Sequence, residues 1–277
     1  MPLPAIDSTT DGHVHTRLCH HARGEMEEYV LAAMAAGLKK LVFLEHHEIG
    51  INYFESTWLT EAEFVAYHAE GKRLAARYAG KIEIGCGVEV GANPDHLQET
   101  ADFLGRFAWD RIGLSYHYLW AGNEHVNMVS RRPASIALME AIGVEKVAAA
   151  YFEGLTRALA VIPADVVCHL DAVLRHCPAF AFTGEHFARV REILALMRAK
   201  DIALEVNTSG FALRGEPYPT LAILQEARRM GIRLAAGSDA HRPADVGRYF
   251  DRLPGLLGEK ADEPAVRGQQ SEEPKVS

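Results

Sequence analysis

Two histidines separated by one residue, His13 and His15, follow Asp11-Gly12 near the start of the chain. Alternate side chains of an extended backbone share a side, so both imidazoles face one point. An HxH pair alone is weak grounds for a metal site, because histidine is commonly part-buried for packing. Its recurrence changes the odds. Ser238-Asp239-Ala240-His241 repeats the spacing with a carboxylate in place of one imidazole, and LEHH (44–47), GVE (87–89), SYH (115–117) and CHLD (168–171) each close an apolar run with His or Glu. Imidazole with carboxylate suits Zn, Mn or Fe, whereas scarce thiolates argue against a closed structural zinc site. The centre is therefore expected to be open and catalytic. The donors exceed what one ion can use, so two or three divalent transition-metal ions (Zn, Mn or Fe) are implied, with a carboxylate such as Glu89 bridging. Bridged ions lower the pKa of bound water from 15.7 to about 7 and clamp a transferring phosphoryl group.

Something must carry these residues to one place. Short apolar runs at 40–44, 81–88, 110–116, 164–168, 201–206 and 232–237 alternate with amphipathic patterns at 24–37, 60–79, 95–107, 135–160, 184–200, 219–230 and 243–257. Thr60 and Glu63 have capping-box spacing, and Gly37, Gly80 and Gly231 stand where helix C-caps belong. With a short first strand ending near His13, about seven βα units result. The same alternation fits an open doubly wound sheet. Position decides: His13, His15, His46, Glu89, His117, His169, Asp239 and His241 come at nearly every strand end, and only a barrel gathers such ends on one face. The expected fold is α/β, a barrel spanning 1–257 as one domain, with 258–277 a polar and mobile tail.

Bulk properties narrow the partners. The 277 residues carry a formal charge of −8, which gives no general attraction to polymeric nucleic acid or anionic membrane. No apolar run approaches the roughly 18 residues of a membrane helix, and MPLPAIDSTTDG lacks the basic n-region and apolar stretch expected of a signal peptide. A cytoplasmic protein acting on a small-molecule phosphate ester is the expectation. Cys19, Cys86, Cys168 and Cys177 are too scattered for a disulfide framework.

Taken in order, DGHVHTRLCHHA (11–22), LEHH, GVE, SYH, CHLD, EVNTSG (205–210) and GSDAH (237–241) resemble the polymerase and histidinol phosphatase (PHP) family, most of all its histidinol-phosphate phosphatases, over nearly all of residues 10–257. The resemblance implies a distorted (β/α)7 TIM-like barrel with a trinuclear metal site. It implies His13, His15, Glu89 and Asp239 around one ion, Glu89, His117 and His169 around a second, and His21, His46 and His241 around a third. Glu89, Asp239 and His241 are the candidate catalytic residues. Two departures stand out, Glu45 where the family usually has Asp and His20 where Gly is common, and each could retune the surroundings of a ligand. The implied reaction is hydrolysis of L-histidinol phosphate by in-line attack of a hydroxide held between metal ions. A nucleotide phosphoesterase or nuclease on the same site is the alternative, and a noncatalytic metal-bound domain a third.

Other residues are read more plainly. His20 and His47 adjoin ligands but are expected to orient neighbours, and His68, His96 and His186 to be solvated. Arg175 and Arg214 are the candidate phosphate-binding residues, since a guanidinium offers a bidentate fork to phosphate; Arg17 reads as a surface ion pair. Asn207 is expected to organise its loop, Gly210 to allow an unusual backbone angle, and 118–134 to shape substrate access.

Overall fold

The computed structural model describes residues 5–177 and 180–258, so the expected tail lies outside the described residues from 259 onward. Its strands are β1 (Thr10–Val14), β2 (Lys40–Glu48), β3 (Glu83–Gly91), β4 (Ile112–Ser115), β5 (Tyr118–Trp120), β6 (His125–Asn127), β7 (Val166–Val167), β8 (Ala203–Asn207) and β9 (Leu234–Gly237). Seven of them form one parallel sheet in the order β1-β2-β3-β4-β7-β8-β9. The two edges meet. His15 N–H donates to the Ala240 carbonyl at 2.9 Å and Asp239 N–H to the His13 carbonyl at 2.8 Å, which draws the sheet into a nearly closed barrel. β5 and β6 form a separate antiparallel hairpin within the expected access segment.

The helices are α1 (Met26–Ala35), α2 (Glu61–Arg77), α3 (Leu97–Leu104), α4 (Pro133–Ile142), α5 (Val144–Val161), α6 (Gly184–Ala199), α7 (Phe211–Arg214) and α8 (Leu221–Arg229). Among the described residues no helix is long and apolar enough to cross a membrane. The capping box before α2 is present, with Glu63 accepting from Thr60 N–H at 2.7 Å. Two helical expectations need correction. The 135–160 pattern is two helices, parted by Gly143 at φ 95°, and 243–257 holds only short 3-10 turns. There Gly247 and Gly255 take positive φ, and Pro254 lacks an N–H, so α-helical bonding does not propagate.

Strand alternation explains which residues reach the interior. In β2, Leu41 and Phe43 pack between strands and helices, whereas Val42 and Leu44 join Val166, Cys168 and Ala203 in a smaller apolar cluster within the barrel. The same parity carries His46 and Glu48 inward and turns Glu45 and His47 outward. His47 accordingly stacks on Phe103 of α3, with centroids 3.6 Å apart, and Glu45 accepts hydrogen bonds from Thr16 N–H and hydroxyl. The interior has little spare room. A Cβ on Gly87 of β3 would lie 2.4 Å from the Arg111 carbonyl oxygen and 2.6 Å from Leu44 Cδ2.

Gly87→Ala should therefore destabilise the fold by about 1–3 kcal/mol in urea unfolding, because the nearest obstacle is backbone. Gly105→Ala, right-handed and with nothing nearer than 3.5 Å, should stay within about 0.5 kcal/mol of the parent. Equal effects of the two substitutions would contradict this packing.

Candidate metal centre

The inward residues at the strand ends meet on Glu89 of β3, which is 1% exposed. Its Oε2 lies 3.3 Å from His13 Nε2, 3.4 Å from His15 Nε2 and 3.0 Å from His46 Nδ1. Its Oε1 faces His117 Nε2 at 3.2 Å and His169 Nε2 at 2.8 Å. Asp239 Oδ1 approaches His15 Nε2 at 3.4 Å and His241 Nδ1 at 3.5 Å, and His241 Nε2 lies 2.8 Å from His21 Nε2. The structure thus brings together all nine residues singled out in the sequence. His169 and Asp239 reach it with φ of 27° and 50°, a region costly for residues with a Cβ.

Protons alone do not satisfy this arrangement. His21 Nδ1 lies 2.9 Å from the Cys19 carbonyl and His241 Nδ1 3.1 Å from the Asp239 carbonyl. A carbonyl only accepts, so each Nδ1 carries the hydrogen and each Nε2 presents a lone pair. Those lone pairs confront each other at 2.8 Å. His13 Nδ1 donates to Glu205 at 2.6 Å, and its Nε2 stands 2.9 Å from His15 Nε2. His46 Nδ1 and Glu89 Oε2 lack any aligned hydrogen bond among the described residues although only 3.0 Å separates them. Burial and the neighbouring His46 and His241 push the His21 pKa down to about 3, so no proton relieves the repulsion there. Convergent lone pairs on buried imidazoles and carboxylates fit divalent metal ions.

Electrostatics divides the cluster. Burial opposes protonation of His117, but Glu89 and Glu48 outweigh it and move the pKa up to about 10. Burial would raise the Glu89 pKa, yet His13, His117 and His46 hold it well below the usual carboxylate range. His15 is driven well below its ordinary value by burial and by His46 and His241. Positive charge is drawn to His117 beside Glu89, while His15 and His21 are kept neutral.

Sequence reading missed the groups that aim the ligands. Glu205 accepts from His13 Nδ1, from the His169 N–H at 2.8 Å and from Asn207 Nδ2 at 3.0 Å, while Glu48 takes His117 Nδ1 at 2.9 Å. Each fixes which ring nitrogen stays bare. Both were open to the alternation argument: Glu48 lies two residues beyond His46, and Glu205 is the lone charge in ALEVN. Asp11 staples the last strand end by accepting from Ser238 and Gly247 N–H groups at 2.9 and 2.8 Å.

A cavity of about 970 Å³ opens above the cluster and is bordered by Arg131, Arg175, Tyr53, Tyr118 and Tyr218. Arg175 fits its expected place, donating from Nε to the Ala172 carbonyl but facing no carboxylate within ion-pair distance among the described residues. Arg214 does not: it is spent on buried Asp171, with Nη2 to Oδ1 at 3.0 Å and Nη1 to Oδ2 at 3.2 Å. Arg17 pairs with Glu25 at the surface, as anticipated, and Asn207 accepts from Ser209 N–H. His20, beside Glu63, stands apart from the cluster. His186 corrects the solvated reading, since it is buried, caps α6 through Thr183 and lies 2.9 Å from Glu145; His68 is partly covered by Phe107 and Trp109. Gly210 has an ordinary φ of −58°, and glycine is required there because a Cβ would lie 2.5 Å from the Glu216 carbonyl.

The PHP domain family matches residues 11–209, and the PHP-associated family residues 222–253. The chain belongs to the PHP domain family. A probable histidinol-phosphatase of Deinococcus radiodurans is 30% identical over 243 residues, covering 87% of this chain and 89% of that protein. Among solved structures, a putative histidinol phosphatase from Listeria monocytogenes superposes with a TM-score of 0.79 at 24% identity, covering 87% of this chain and 98% of that one. The histidinol phosphate phosphatase of Lactococcus lactis, solved with zinc, L-histidinol and phosphate, gives 0.71 at 20% identity, covering 91% and 94%. Both likenesses bear out the barrel expected from the strand count.

Glu205→Gln should lower metal affinity about 10–100-fold, since the amide places a donor where His13 and His169 need an acceptor. Metal content after dialysis against a buffered divalent ion measures this, and wild-type retention would contradict the role given to Glu205.

Proposed function

We propose that this chain is a metal-dependent phosphomonoesterase that hydrolyses L-histidinol phosphate to L-histidinol and inorganic phosphate with two or three divalent ions drawn from Zn, Mn and Fe. The observation that carries the reading is the convergence of nine imidazole and carboxylate donors around Glu89 and Asp239 beneath a cavity bordered by arginine. In this reading His13, His15, Glu89 and Asp239 hold one ion, Glu89, His117 and His169 a second, and His21, His46 and His241 a third. When bound, such ions supply charge for phosphoryl oxygens and acidity for a water molecule.

The protein's own groups do the rest. Arg175, unpaired by any carboxylate among the described residues, offers its guanidinium to the phosphate dianion, and Asp239 and His241 border the same cavity. Cys168 supplies no thiolate nucleophile, because burial and then Glu205 push its pKa up to about 12. In this reading water attacks phosphorus directly, in line with the departing ester oxygen, and the proton water gives up ends on that oxygen as it leaves as the alcohol, so no phosphoenzyme forms. The outer wall suits the alcohol: Tyr53 and Tyr118 border it as aromatic neighbours for an imidazole, and Glu55, paired with Arg132 at 2.7 Å, is the carboxylate on that wall nearest in kind to an ammonium partner. The Deinococcus relative, named for this activity over most of its length, and the Lactococcus structure with L-histidinol and phosphate support the same substrate.

Phosphate release across histidinol phosphate, nucleotides, dinucleotides and sugar phosphates should favour histidinol phosphate by orders of magnitude. Comparable or better turnover of a nucleotide or dinucleotide would reassign the substrate. Single turnover of a chiral phosphate ester in isotopic water should invert phosphorus, and net retention would establish a covalent intermediate.

A further inference from the structure

Tyr218 follows β8 and is 2% exposed, yet its hydroxyl makes no hydrogen bond among the described residues. A buried donor left unpaired is costly and is rare without a reason. Its backbone is fixed to the end of β8, since Tyr218 N–H donates to the Asn207 carbonyl at 2.9 Å and Asn207 N–H donates back at 2.8 Å. Two guanidiniums lie over its ring, that of Arg214 4.1 Å and that of Arg175 5.6 Å from the centroid. Such cation–π contacts withdraw electron density from the phenol and make its O–H a better donor.

We infer that the Tyr218 hydroxyl donates a hydrogen bond to a phosphate oxygen of the substrate, and that Arg214 is a positioning residue acting through the Tyr218 ring. The inference rests on the phosphomonoesterase reading and adds a contact to it. Tyr218, Arg175 and Asp239 border one cavity, so the unpartnered phenol belongs to the same wall as the guanidinium and the metal-facing carboxylate. Arg214 is neutralised by Asp171, whose Oδ2 also accepts from Thr220 N–H at 2.9 Å, so this network fixes the loop carrying Tyr218 and leaves the free charge to Arg175. Burial keeps the phenol protonated, against the smaller opposing pull of Arg175 and Arg214, so the group faces the ligand as a donor.

Tyr218→Phe removes the hydroxyl and keeps the ring against the guanidiniums. In metal-loaded protein, metal content should be unchanged while both the affinity for inorganic phosphate and kcat/KM fall about 10–100-fold. Unchanged phosphate affinity and unchanged kcat/KM would overturn the inference. Arg214→Lys keeps a cation for Asp171 but loses the planar face, and should weaken phosphate binding in the same direction. The double variant should be no worse than Tyr218→Phe, and additive losses would overturn the positioning role. Phosphate binding reads this contact whichever ester is the substrate, so failure of histidinol phosphate as a substrate overturns the substrate assignment and not the Tyr218 contact.

Discussion

Glu89 places a carboxylate, almost wholly shielded from solvent, within 3.4 Å of ring nitrogens from five histidines, and this is tolerable only while positive charge lies among them. Moving an ionised carboxylate out of water costs several kcal/mol unless its partners repay the loss. Imidazoles repay it only in part, because Glu205 and Glu48 have already drawn the Nδ1 hydrogens of His13 and His117 away from it. What remains is a set of lone pairs aimed inward, a chemical demand for divalent cations built from residues that lie far apart in sequence.

The barrel meets that demand through parity and space. Parallel strands running in register deliver His46 opposite Glu89, and the closing contacts between His13, His15, Asp239 and Ala240 bring the first and last strands to the same mouth. Interior glycines admit bulky polar groups beside a close-packed wall. At Gly237 a Cβ would stand 2.2 Å from Glu205 Oε1 and 2.7 Å from His13 Cβ, so the last strand must be bare where the first strand's ligand is aimed. The positive φ values of His169 and Asp239 show the same priority of site over backbone comfort.

Much of this is legible in the sequence because the chemistry sits where local patterns end. Seven apolar runs, nearly all closed by His, Glu or Asp, are enough to select a barrel, since convergence on one face is what an open sheet lacks. The 243–257 segment misled because its apolar spacing resembles a helix while Gly247, Pro254 and Gly255 oppose one. His186 was misread because charged sequence neighbours say nothing of the three phenylalanines, Phe152, Phe180 and Phe182, that approach it in space. Arg214 and Arg175 are equivalent as residue types, and only the side chain across the fold, Asp171, makes one a strut and leaves the other free. The β5–β6 hairpin was unread because its strands are three residues each, too short for periodicity to register.

The central claim is that the lone pairs gathered at Glu89 hold catalytic divalent ions. Its most direct test is to strip the protein with a chelator, titrate back Mn or Zn, and record bound metal per chain together with phosphate release from histidinol phosphate. Two to three ions per chain, with activity lost on chelation and restored as the sites fill, is the outcome this account requires. Full turnover by rigorously metal-free protein, or binding of fewer than two ions at saturation, would contradict it.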